Sequence, residues 1–314
     1  MSGTRIPMPP IELRRMVTPN DADFEHPGEE PVYNDIPVEA YDAVFDFGCG
    51  CGRMARKLML QKPRPRRYLG IDIHKGMIDW CSENLTPLDP RFQFRHHDVW
   101  SPSYGRDNSY RLAEPFPAND GEFTLFLANS VFTHLYRVQT EYYLSEIARI
   151  VSPRGLAITS WFFFDNDTYP SLDGGPHTLF VSETDPTHAV IYDRKWFVDA
   201  VRRCGLGIKA TTLPPATGSL WQVKFERRTS STVDRFPLGD EGSDRVCGAK
   251  PVQSTERALG KMNRSGTVSS PGDGQPQVPA LFGPLADLAA VKQSWTWRIG
   301  RAVTKPLGRM KRML

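Results

Sequence analysis

The stretch VFDFGCGCGRM, from Val44 to Met54, sets Gly48, Gly50 and Gly52 at alternate positions and places a carboxylate, Asp46, two residues ahead of the first. Its apolar first half has the length of a strand, and the segment GRMARKLML that follows is amphipathic at helical spacing. The unit therefore reads as strand, glycine turn, helix. Glycines at such a turn let a ligand come close to the main chain, and free N–H groups at a helix start favour an anionic or polar group. A nucleotide-like ligand is the expected guest. The spacing G-x-G-x-G departs from the dinucleotide fingerprint G-x-G-x-x-G/A.

Outward from this unit the same alternation continues. RYLGIDI, FQFRHHDV, EFTLFLAN and GLAITSWFFF have strand character. GMIDWCSENL and RKWFVDAVRRCG read as helices, the second closed by Gly205, and a long amphipathic helix is predicted over SVFTHLYRVQTEYYLSEIARIV. IKATTL and LWQVKFER supply two closing strands, while 100–120 and 165–190 read as irregular. Strands alternating with helices predict an α/β, Rossmann-like, doubly wound sheet, mostly parallel with a closing antiparallel strand. The expected boundaries are an N-terminal arm over 1–40 with a short helix at IELRRM, the main domain over 41–228, a disordered linker over 229–285 and a basic aromatic tail over 286–314. The linker is read from its Ser, Gly, Pro, Asp and Thr content, which leaves too few large apolar residues to offset ordering entropy.

With 314 residues, the chain is long enough for one α/β core and an appendage. Its mean hydropathy of −0.42 describes a globular protein, and no apolar run reaches the ~18 residues of a membrane-spanning helix. The segment MSGTRIPMPPIELRR lacks the apolar core of a secretory signal, and the 5 cysteines are scattered, so the expected setting is a reducing cytoplasm. Cys49 and Cys51 have no further Cys/His cluster beside them, which argues against zinc, and no metal is expected. The net charge of +3 is uneven: the 23 residues from Lys292 carry 7 Lys or Arg and no acid, leaving −4 on the remainder.

Two further carboxylates stand at strand ends. Asp72 closes the second strand, where it can take both ribose hydroxyls of a nucleoside, and Asp98 closes the third, where it can accept from an adenine amino group. With Asp46 and GCGCGR, GIDI, HHDV, ANSVFTHL and EIARIVSPRG, the chain from Val44 to about Gly155 resembles a class I S-adenosylmethionine-dependent methyltransferase of bacterial type 11/25. SPRG departs from the family's usual PGG and is expected to alter only a surface turn. The resemblance implies S-adenosyl-L-methionine as cofactor. It places the backbone of Gly48, Cys49, Gly50 and Gly52 against the methionine part, with Asp46 ordering the turn. Asp72 would hold the ribose, Ile73 would cover the adenine and Asp98 would meet its amino group, with Val99 and Asn129 completing the contacts.

Methyl transfer to a hydroxyl needs a group that takes the proton. His134 in NSVFTHL follows the fourth strand and is the candidate base, against the plain alternative that it caps or packs the next helix. Of His96 and His97 only one can face a pocket on an extended strand. The aromatic run Trp161 to Phe164 reads either as a ring-stacking wall or as buried core. The segment 165–193, with His177, His188, Asp165 and Tyr192, lies where this fold covers its acceptor. DADFEHP and DPTHAVIYDRKWF resemble, more loosely, polysaccharide-associated members. The ending SWTWRIGRAVTKPLGRMKRM resembles those of bacterial cell-surface polysaccharide assembly proteins.

The expected function is O-methylation of a sugar or glycoconjugate precursor in polysaccharide biosynthesis. The alternatives are a small-molecule or secondary-metabolite O- or N-methyltransferase and an inactive nucleoside-binding scaffold. The tail, through Trp295, Trp297 and its bases, is expected to meet an anionic membrane surface peripherally. No nucleic-acid partner is expected, because the core is acidic and carries no RNA-binding module.

Overall fold

The computed structural model describes residues 6–238 apart from 27, 102–103, 105–107, 110, 165–176, 181–185 and 215–219. A seven-stranded sheet organises them in the order β3-β2-β1-β4-β5-β10-β9. Its strands are β1 (Ala43–Phe47), β2 (Arg67–Asp72), β3 (Phe92–His96), β4 (Phe123–Ala128), β5 (Val151–Trp161), β9 (Leu206–Thr212) and β10 (Trp221–Arg227). All pairings from β3 to β5 are parallel, and β10 lies antiparallel between β5 and β9. A small second sheet joins β6 (Phe163–Phe164), β8 (Val190–Asp193) and β7 (Thr178–Phe180).

The helices are α1 (Ile11–Val17), α2 (Arg53–Leu60), α3 (Lys75–Asn84), α4 (Arg137–Ile150) and α5 (Arg194–Arg203). Both faces of β1 are covered, as a parallel sheet requires. Val44 packs with Met54, Leu58, Tyr68 and Leu125. On the opposite face Phe45 and Phe47 meet Phe116, Phe126 and Tyr143.

The sequence pattern and the structure part in three places. The helix predicted from Ser130 begins only at Arg137. Ser130 is left-handed (φ 57°), Phe132–His134 forms a separate 3-10 turn, and the Gln139 carboxamide accepts the Tyr136 N–H to start α4. Amphipathic spacing cannot register one reversed residue. SPRG lies within β5, not in a surface turn, with a register shift beside it on β4. Residues 229–238, read from composition as linker, pack on the domain: Asp234 accepts from the Ile208 N–H (2.8 Å) and Phe236 stands among Phe163, Phe197 and Trp221. The remainder of the expected linker and the basic tail, with Trp295 and Trp297, lie outside the described residues.

Candidate functional site

The strand order reverses between β1 and β4, and in an open α/β sheet the crevice at the carboxyl ends beside such a reversal is where ligands bind. The glycine turn and the turn after β4 line it. Gly48, Gly50 and Gly52 all have positive φ (77°, 55° and 82°), which side-chain-bearing residues adopt only at a cost. What approaches their missing side chains is protein. A Cβ on Gly48 would lie 2.3 Å from Val131 Cγ2, one on Gly50 would lie 3.0 Å from Val17 Cγ2, and one on Gly52 would lie 2.6 Å from Leu85 Cδ1. Three segments therefore close on this turn: α1, the end of α3 and the connection after β4.

The expectation of free N–H groups in the turn is corrected by the hydrogen bonds. Gly48 N and Cys49 N donate to Ile71 O (2.8 and 3.0 Å), Gly50 N donates to Asp72 Oδ2 (2.8 Å) and Gly52 N donates to Cys49 O (3.1 Å). A pyrophosphate would find these donors taken. A ligand with hydroxyl and amine donors fits better, because carboxylates and carbonyls are what the strand ends offer. Asp46, 2% exposed, lies beneath the turn and accepts from Tyr68 Oη (2.6 Å); burial pushes its carboxyl up to about 6. Asp72, rather than Asp46, is the carboxylate bonded to the turn. Cys49 turns its thiol toward β2, with Sγ 2.9 Å from where a Cβ on Gly70 would stand, so only its main chain borders the crevice.

At the tip of β2, Asp72 is half-buried and accepts one N–H on each oxygen, from Gly50 and from His74 (2.8 Å each). Burial raises its pKa against those two bonds. A carboxylate oxygen has lone pairs left beyond one such bond, which is what a diol requires. Ile73 and Val99 are tied together through their carbonyls by Asn108 Nδ2 (2.8 and 3.0 Å), and His96 Nε2 also donates to Ile73 O (3.1 Å). Asn108 lay in a stretch read as irregular, and only a carboxamide at the right distance marks it. Asp98 is exposed and accepts from Ser109 N (2.9 Å). His97 points the other way, 1% exposed, between Tyr143 Oη (2.8 Å) and Glu114 Oε1 (3.2 Å).

The turn after β4 holds Asn129, the strained Ser130, whose N–H donates to Ser160 Oγ (2.6 Å), and Val131 against Gly48. Burial pushes the phenol of Tyr33 up to about 12, with Asn129 and the Arg53 charge opposing the rise. Tyr33 belongs to the N-terminal arm and was missed in the sequence, where nothing singles it out. Its main chain is held by Tyr41 Oη, which accepts from Tyr33 N (2.6 Å) and donates to Tyr33 O (3.0 Å). His134 follows: Nδ1 lies 2.9 Å from Thr187 O, and since a carbonyl only accepts, Nδ1 is the donor, which in a neutral ring puts the lone pair on Nε2. The Tyr104 ring stands edge-on to it at 5.1 Å.

Trp161, Phe163 and Phe164 are fully buried, so the aromatic run is core rather than a ligand wall. Most of the 165–185 segment, including Asp165, lies outside the described residues. Among the described residues no group of three or more His, Cys, Asp or Glu is placed to hold a metal ion. No helix among them is long and apolar enough to cross a membrane.

The family described as "Methyltransferase domain" matches residues 44–155, the span from β1 into β5. Among solved structures, the PH0226 protein of Pyrococcus horikoshii OT3 is 14% identical over 59% of this chain and 82% of its own, with a TM-score of 0.40. Geranyl diphosphate C-methyltransferase of Streptomyces coelicolor A3(2) is 13% identical, covers 60% of this chain and 71% of its own, and has a TM-score of 0.41. A TehB-like SAM-dependent methyltransferase of Corynebacterium glutamicum ATCC 13032 is 17% identical over 62% of this chain and 90% of its own, with a TM-score of 0.38. The matched residues, on this sheet order and with this glycine turn, carry the assignment. Residues 44–155 match the methyltransferase-domain family, and the chain carries a methyltransferase domain over that span.

Proposed function

We propose that the enzyme methylates a hydroxyl group, with His134 as the base and a sugar or glycoconjugate precursor as the acceptor. The observation that carries the hydroxyl is the His134 tautomer. Thr187 O accepts from Nδ1 and fixes the ring, which makes Nε2 the basic nitrogen of the neutral imidazole, and the imidazolium formed on proton transfer would keep its bond to the carbonyl. An amine acceptor has its own lone pair at neutral pH only when unprotonated, whereas an alcohol needs a base at the moment of transfer. The saccharide rests on the sequence resemblance around DADFEHP and DPTHAVIYDRKWF.

S-adenosylmethionine, when bound, supplies an electrophilic methyl group on a sulfonium. The protein's part is alignment. Asp72 would receive the ribose hydroxyls, Ile73 and Val99 would flank the adenine on the frame that Asn108 fixes, and Asp98 would accept from its amino group. The main chain of Gly48 to Gly52 and the side chain of Asn129 would border the methionine part, over a floor that Asp46 and Tyr68 hold. The basic tail, with Trp295 and Trp297, would bring the acidic domain to an anionic membrane where such acceptors are assembled.

Incubation with methyl-labelled cofactor and a panel of nucleotide sugars, free glycosides and catechols tests this reading. Label transferred to a saccharide oxygen, and lost in the His134→Ala protein, is the expected result. Transfer to nitrogen or to a non-saccharide ring would favour the secondary-metabolite reading, and cofactor binding without transfer to any acceptor would favour a scaffold.

A further inference from the structure

His134 sits on the 3-10 turn Phe132–His134, and so short a turn has few main-chain hydrogen bonds with which to hold a side chain in place. The bonds it makes are His134 N to Val131 O (2.9 Å) and a long one from Leu135 N to Phe132 O (3.4 Å). A base has to stand within about 2.6–3.2 Å of the proton it takes. On such a turn it needs support from outside.

One segment, 186–193, meets the turn at two places. Thr187 O, from the 3-10 turn Pro186–His188, receives the His134 Nδ1–H (2.9 Å) and sets the ring. Further along, Tyr192 of β8 sets the main chain: its phenol oxygen lies 3.0 Å from Phe132 O and 2.6 Å from Leu135 O, carbonyls on either side of His134. Carbonyls only accept, so the phenol is the donor, and its lone pairs remain for the Thr140 hydroxyl of α4 at 2.7 Å. Tyr192 is itself held on both sides, opposite Phe163 in β6 and Thr178 in β7. Its ring stands edge-on to Trp161 at 5.4 Å, and the Phe132 ring stacks on the same Trp161 at 4.3 Å. In surroundings this apolar a carbonyl that loses its donor is left unsatisfied, so the phenol pins the turn where it lies. Tyr192 belongs to the segment expected to cover the acceptor, yet it is fully buried and meets no acceptor. Any part it takes in the reaction runs through His134.

We propose that Tyr192 is a positioning residue for methyl transfer: its phenol, with Thr140 behind it, holds the turn so that the His134 ring meets Thr187 O and presents Nε2 to the acceptor hydroxyl. The inference rests on the reading of His134 as the base. Misplacing a reacting group by about 1 Å costs on the order of 10²-fold in rate, and the phenol guards against a displacement of that size.

Nitrogen NMR of the full chain carrying isotopically labelled histidine reads the tautomer directly, with His134→Ala identifying the signal. At a pH where the ring is neutral, wild type should show His134 protonated at Nδ1, the less common form in free histidine. Tyr192→Phe keeps the ring and removes the donor. It should shift His134 to a mixture with the Nε2–H form and leave S-adenosylhomocysteine affinity, by calorimetry, within about twofold. Should Tyr192→Phe not fold, Thr140→Val, which removes the hydroxyl behind the phenol, should produce the same shift to a lesser extent. On an acceptor that takes label, Tyr192→Phe should lower kcat about 10- to 100-fold with KM nearly unchanged. Added to His134→Ala it should lower turnover by less than about twofold, whereas a residue that only holds the fold together would lower both backgrounds alike. An unchanged His134 tautomer in the variant that folds, or equal losses in the two backgrounds, would overturn the proposal and leave the base reading standing. A wild-type His134 protonated at Nε2 would overturn both.

Discussion

Single side chains at the crevice can be tested one at a time, because their environments differ in kind. Asp46 is buried, and its folded pKa of about 6 lies above the ordinary carboxyl value of 3.8. Below pH 4 both folded and unfolded states hold the proton and the group is neutral in its effect. As pH rises from 3.8 to about 6 the unfolded chain ionises while the folded state still holds the proton, so the folded state loses relative stability, by about 3 kcal/mol once both are ionised. Asp46→Asn keeps an oxygen for Tyr68 and does not titrate. Its stability relative to wild type, measured by denaturant unfolding without cofactor, should therefore grow between pH 4 and 7; a constant difference would contradict the assignment. Asp72→Ala should weaken S-adenosylhomocysteine by about 1.5–3 kcal/mol, and because Asp72 also fixes Gly50 and His74, Asp72→Asn is the control for a distorted turn. His134→Ala should lower turnover by roughly 10²–10⁴ and leave cofactor affinity nearly intact. Activity within a few-fold of wild type would reduce His134 to a residue that ties the 3-10 turn to Thr187.

Between elements, the closest fit is Gly48 against Val131. Gly48→Ala meets two costs: about 1–2 kcal/mol for a left-handed residue and about 1–3 kcal/mol for crowding the Val131 methyl. Adding Val131→Ala should remove the second cost and not the first, so the double variant should recover part of the lost stability. Full recovery would mean that φ at Gly48 carries no strain, and no recovery would mean that the turn after β4 does not press on β1. This contact also shows what the sequence could convey. GCGCG announced a tight turn, and the strand-tip acids Asp72 and Asp98 were legible because strand ends are legible. The partner of each glycine was not, since Val131, Val17 and Leu85 come from elements that periodicity cannot dock. Asn108 was hidden for the same reason: it acts through hydrogen bonds to the Ile73 and Val99 carbonyls, which no local pattern reports. Ser130 was read as helix because hydrophobic spacing reports side-chain faces and is blind to a single reversed φ.

For the whole molecule the question is where the folded domain stops and what the rest does. Composition placed the boundary at Arg228, yet Asp234 bonds the Arg202 guanidinium (2.8 Å), the Arg228 guanidinium and the Ile208 N–H, and Thr232 stands so close to Gly207 that a Cβ there would lie 2.2 Å from it. Polar residues made this segment look unstructured, whereas its one half-buried ring, Phe236, anchors it. A chain ending after Arg228 should therefore be less stable than one ending after Leu238 by about 2–4 kcal/mol, from the charged hydrogen bonds and the lost ring burial. The chain ending after Leu238 is the proper reference for the tail, because it removes the 7 bases from Lys292 onward and keeps the described contacts of Asp234 and Phe236. If the tail docks an acidic domain on anionic lipid, intact protein should sediment with phosphatidylserine vesicles and the Leu238 truncation should not. Salt should release the intact chain as the screening length shortens, and Trp295→Ala with Trp297→Ala should weaken a residual attachment that salt does not reach. Equal sedimentation of the two chains would remove the membrane from the account, and loss of turnover on a soluble acceptor after truncation at Leu238 would assign the tail to the catalytic domain instead.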